Sequence, residues 1–94
     1  MRWSIFADLS RVLTDEERGD LFAALEGIVP DSGCIGPNRR GDEEVYFVVE
    51  AATAEAATAE AARLAASGFM DRVIEAAGVG VTYEVTVQAN SRTR

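Results

Sequence analysis

Glu44-Val45-Tyr46-Phe47-Val48-Val49-Glu50-Ala51 is the stretch on which the fold turns. Side chains alternate along a strand, so Val45, Phe47 and Val49 share one face and Tyr46, Val48 and Glu50 the other. Both faces are largely apolar, as a central strand requires. Immediately before it, Asn38-Arg39-Arg40-Gly41-Asp42 reads as a hairpin loop. The segment Gly33 to Asn38 is then its hairpin partner, a weak strand in which Pro37 lacks an amide donor and glycines flank Cys34 and Ile35. Such a strand belongs at a sheet edge.

Further out, Arg2 to Leu9 alternates, with Trp3, Ile5, Ala7 and Leu9 on the face suited to the core and Ser4, Phe6 and Asp8 on the other. Thr14-Asp15-Glu16-Glu17 fits a capping box, and Leu21, Phe22, Leu25 and Ile28 follow at helical spacing until Gly27 and Pro30 end the helix. A second helix is expected after Thr53, across the pentads Thr53-Ala-Glu-Ala-Ala and Thr58-Ala-Glu-Ala-Ala. Its apolar face runs through Ala59, Ala62, Ala66, Phe69, Met70, Val73, Ile74 and Ala77. Leu64 falls opposite at about 100° per residue, so either the helix bends at Ser67-Gly68 and carries Leu64 to apolar surroundings, which is the expectation preferred, or an unbroken helix exposes Leu64 to a partner. Gly80 to Ala89 closes the chain as a strand, with Val81, Tyr83, Val85 and Val87 facing the helices.

The order β-α-β-β-α-β predicts a ferredoxin-like sandwich of class α+β: a four-stranded antiparallel sheet with two helices on one face. The spatial order is then fourth, first, third, second. Residues 1–90 are expected to form this single domain and 91–94 a short polar, mobile tail. Trp3, Ile5, Phe47, Val49, Leu21, Leu25, Val73 and Ile74 are the expected core.

The chain has 94 residues and a formal net charge of −7; all nine basic residues are Arg, and His is absent. That charge opposes polyanions, so neither nucleic acid nor an anionic membrane is the expected partner. No apolar run reaches the length of a bilayer span, and with one cysteine there is no intramolecular disulfide, so the expected location is cytoplasmic.

Each candidate for chemistry has a structural explanation beside it. Cys34 lacks a histidine to activate it and reads as a small edge-strand residue. Asp15-Glu16-Glu17 complements the helix dipole, and Asp42-Glu43-Glu44 reads as a solvated hairpin shoulder, so no metal site is expected. Arg39 and Arg40 at the hairpin tip can contact an anion through their guanidinium forks. Phe6 and Tyr46 fall on the uncovered sheet face, on the two central strands.

That placement is similar to the stacking aromatics of RNA-recognition domains, but Glu44 to Ala51 lacks the basic residue and glycine of that family's third-strand motif. Asp8, Glu50 and Glu84 would also surround the bases with negative charge. The architecture resembles small dimeric α+β barrel proteins, whose sheets close face to face. In some members they enclose a cofactorless oxygenase or isomerase pocket furnished with His, Asn or other polar groups.

The first expectation is therefore a non-enzymatic interaction module without a cofactor, a homodimer or the binder of a protein partner. Phe6, Tyr46 and Val48 would form the contact, and Thr82, Thr86 and Gln88 its polar rim. The alternative is a small-molecule enzyme or sensor of the dimeric α+β barrel type, with Asp8, Tyr46, Glu50 and Glu84 as candidate catalytic groups.

Overall fold

The computed structural model describes residues 2–29, 32–50 and 58–89. The elements follow as β1 (Arg2–Leu9), α1 (Asp15–Ile28), β2 (Ser32–Pro37), β3 (Glu43–Glu50), α2 (Ala59–Ala77) and β4 (Tyr83–Ala89). The four strands form one antiparallel sheet in the order β2-β3-β1-β4. Counted from the other edge this is fourth, first, third, second, and the arrangement is consistent with a ferredoxin-like one. Pro30, Ala51, the first alanine-rich pentad and the 91–94 tail lie outside the described residues.

Alternation assigns the two faces. Trp3, Ile5, Ala7 and Leu9 of β1 are buried, as are Val45, Phe47 and Val49 of β3. They form one core cluster with Leu21 and Leu25 of α1 and Ala62, Ala66, Met70 and Val73 of α2, so both helices cover the same face. Ile74 and Phe69 pack partly buried against it, Phe69 meeting Phe47 edge-on with ring centroids 6.1 Å apart. Burial of each large apolar side chain contributes on the order of 1.5–3 kcal/mol.

The capping box of α1 is present in both directions. Thr14 Oγ1 accepts from the Glu17 amide at 3.1 Å, and Glu17 Oε1 accepts from the Thr14 amide at 3.0 Å. Glu17 also takes a bidentate pair from Arg11 at 2.9 and 2.8 Å, and these contacts hold its carboxyl down at about 2. Thr58, the start of the second pentad, is the N-cap of α2 and not part of its interior.

Three expectations are corrected. First, α2 runs as one uninterrupted helix through Ser67-Gly68, and Leu64 stays in water at 66% exposure. Tyr83 pins the helix at that point, its hydroxyl lying 2.6 Å from Asp71 Oδ1 and 3.1 Å from the Ser67 carbonyl. Second, Glu43 is not a solvated shoulder but is 4% exposed, because its odd position in β3 puts it on the helix-covered face. Third, Phe22 stands about 100° around α1 from Leu21 and is 38% exposed. It lines a groove of about 390 Å³ beside β2, with Cys34 and Ile35.

The two sheet edges are both obstructed. On β4, Arg63 of α2 donates to the Val85 carbonyl at 2.9 Å. On β2, the strand ends at Pro37 and its register shifts between Ser32 and Cys34.

Candidate functional site

Among the described residues no helix lies over the second face of the sheet, where β1, β3 and β4 turn their even-numbered residues. At its centre Phe6 and Tyr46 are direct cross-strand partners. Their rings are tilted at 46° with centroids 5.1 Å apart, and the Tyr46 hydroxyl is 3.3 Å from Ser4 Oγ. Phe6, Tyr46 and Val48 are each half-buried within the single chain, since the two rings shield one another and the strand beneath. Tyr46 also reaches sideways over β2. A Cβ on Gly33 would run into the Tyr46 ring edge and come within 2.5 Å of its carbonyl oxygen, so only glycine fits there.

On the β4 side, Thr86 is the partner of Phe6 and Gln88 the partner of Ser4, and both are exposed. Thr82 lies before the strand begins. Its amide donates to Ser10 Oγ at 3.1 Å and its carbonyl accepts from the Ser10 amide at 2.9 Å, which fastens the end of β1 to the approach to β4. All six expected interface residues thus belong to this side of the sheet, with Thr82 at its margin.

The face ends in charge. Asp8 is the register partner of Glu44 on β3 and of Glu84 on β4, so three carboxylates form a row across three strands. Burial, then the neighbouring Asp8, pushes the Glu44 carboxyl above its usual range. Asp8 Oδ1 accepts from Asn38 Nδ2 at 3.2 Å. The Asn38 side chain also shapes the hairpin, its Oδ1 accepting from the amides of Arg40 and Asp42 at 2.9 and 3.0 Å. Gly41 completes the turn at φ +89.

This hairpin brings Arg39 and Arg40 to the carboxylate row. One cleft of about 280 Å³ is lined by Asp8, Asn38, Arg39, Arg40 and Glu44. A second, of about 220 Å³, has Asp8, Arg40, Thr82 and Glu84 in its wall. Arg40 borders both, and its own ion pair is long, with Nε 3.7 Å from Asp42.

The structure gathers Asp8 and Glu84 and leaves the other catalytic candidates apart. Tyr46 is two register positions inward, while Glu50 is the partner of Arg2, six residues along β1 from Asp8 and about 20 Å away. Glu44, absent from that set, shares a side-chain hydrogen bond with Asp8. The register of β1 with β3 carries the signal: pairing Phe6 with Tyr46 in antiparallel strands forces Asp8 against Glu44. Among the described residues no group of three His, Cys, Asp or Glu side chains could hold a metal. Cys34 is exposed, and no helix of the described chain is long and apolar enough to cross a membrane. The row can accept hydrogen bonds and pair with cations, and the arginines beside it can pair with carboxylates.

Comparison with known protein families, curated proteins and solved structures finds no match for this chain.

Proposed function

We propose that this chain is a non-enzymatic interaction module on a ferredoxin-like sandwich, and that it dimerises through its helix-free sheet face. The observation that carries the reading is the Phe6–Tyr46 pair, an aromatic centre on two middle strands with no helix or strand of the described residues above it. Exposed Thr86, Gln88 and Glu84 supply a polar margin of the kind that surrounds interface cores. A second copy covers the same patch on both molecules at once, which makes a two-fold contact the economical arrangement. The net charge of −7 and the carboxylate row oppose nucleic acid as the occupant.

Sedimentation equilibrium at micromolar concentration tests this. A dimer is expected, and Phe6→Glu or Tyr46→Glu is expected to yield a folded monomer, because the contact would otherwise bury an unpaired carboxylate. A wild-type monomer throughout the accessible range would refute self-association.

A small-molecule reading of the dimeric α+β barrel type is favoured by one observation, the two clefts that meet at Asp8 and Arg40. It predicts that a small ligand co-purifies with the protein and is lost on Asp8→Asn.

A further inference from the structure

We propose that the two copies stack their open faces about a two-fold axis running along the strands, so that Arg40 of each copy pairs with Glu84 and Asp8 of the other. This inference rests on self-association through that face and adds its geometry and its charge pairing.

The argument begins with where the charges stand. The carboxylates Asp8, Glu44 and Glu84 occupy one end of β1, β3 and β4. Arg39 and Arg40 sit at the same end, on the hairpin joining β2 to β3. The sheet order β2-β3-β1-β4 puts the hairpin backbone on one side of the face and Glu84 on the opposite edge strand, while the Arg40 side chain reaches inward to a cleft whose wall it shares with Asp8 and Glu84 of its own chain. An axis parallel to the strands, above the boundary of β3 and β1, exchanges those two sides and preserves position along the strand. Each hairpin then stands over the β1–β4 side of its mate, at the level of Asp8 and Glu84. The same axis lays Phe6 of one copy over Tyr46 of the other, twice, so the apolar centres and the charged ends are matched by one operation.

Face-to-face sheets keep their strands within about 30° of each other at about 10 Å separation, which an arginine and a carboxylate side chain span together. Arg40 suits that role, since its side chain is 60% exposed and its contact with Asp42 is long. Two negatively charged chains repel, so a contact between them requires opposite charges in register.

The other aligned two-fold, perpendicular to the strands, sets the carboxylate row against the Arg2 and Glu50 end. Three carboxylates would then face Arg2, which already has a partner within its own chain. Arg40 would meet Glu50.

Charge reversal in trans separates these arrangements. Arg40→Glu and Glu84→Arg, each alone, are expected to weaken the dimer by about tenfold or more in sedimentation equilibrium. Mixing the two variants is expected to restore association. In the mixed dimer every charge at position 40 meets an opposite charge at position 84, whereas contacts within one chain do not improve on mixing. Circular dichroism confirms that each variant is folded. A dimer that is indifferent to both substitutions would overturn the pairing and leave self-association standing. Failure of the mixture to associate, or rescue of Arg40→Glu by Glu50→Arg instead, would overturn the proposed axis. A wild-type monomer would overturn self-association as well.

Discussion

Arg18 of α1 and Glu43 of β3 meet at 2.5 Å across 25 residues of chain, the carboxylate almost sealed from water at the foot of the sheet. The same Glu43 oxygen lies 3.4 Å from the Leu13 amide, and Arg18 also donates to the Leu13 carbonyl at 3.2 Å and to Asp15 at 2.9 Å. One buried acid thus fixes the start of α1 to the start of β3. Glu43→Ala leaves the Leu13 amide and one side of the guanidinium without an acceptor. A loss of about 1–3 kcal/mol is expected in urea unfolding, with no change of m-value.

Glu17 predicts an acid-side dependence. Its folded value of about 2 lies below the ordinary 4.5, mainly through the Arg11 side chain and then the Thr14 amide. A depressed carboxyl contributes stability that is complete above its unfolded value and is lost as pH falls toward the folded one. Thermal unfolding of Glu17→Gln should show a melting temperature below wild type near neutral pH. The gap should narrow between about pH 4.5 and pH 2.

Glu44 has the opposite sign. Its carboxyl is raised by burial, by Asp8 and by a hydrogen bond with Asp8, so the protonated form favours the fold. That contribution is present below the unfolded value and disappears as pH rises through the folded one. Asp8 faces it from β1, and Arg39 and Arg40 from the hairpin. Glu44→Gln should therefore melt above wild type at neutral pH and match it near pH 4, by circular dichroism.

Gly33→Ala should open the β2 edge, since the new methyl group and the Tyr46 ring cannot share the space. Overpacking of this kind costs about 1–3 kcal/mol, and amide exchange should accelerate in β2 ahead of the other strands.

Leu64→Gln should change stability by no more than about 0.5 kcal/mol, because the residue stands in water on the outer face of a continuous helix. A loss approaching that of a buried leucine would mean that the side chain is covered in solution.

Alternation carried most of the fold. It put Trp3, Ile5, Phe47 and Val49 in the core, while the β-α-β-β-α-β order implies the strand order, with which the proline in β2 agrees as the mark of an edge strand. Parity also had the information to bury Glu43 beside Val45, but three consecutive acids suggest a solvated run, and its partner Arg18 is remote in sequence. The bend expected at Ser67-Gly68 is absent because helical spacing says which side Leu64 takes and not whether that side is covered, and the unbroken helix leaves it in water. The central aromatics were legible from the same alternation. The meeting of Asp8, Glu44 and Glu84 with the hairpin arginines was not, because it arises only when three strands are brought into register and the Asn38 turn folds back over their ends.

The obstructed edges have a consequence for behaviour in concentrated solution. With Arg63 occupying a carbonyl of β4, and with Pro37 and a register shift in β2, neither margin offers an unbroken ladder to an incoming strand. The sheet is thereby closed to lengthening by copies of itself, the step that begins fibril growth. A contact across the broad face, as proposed above, would end after one mate, whereas contacts along an edge would continue without limit.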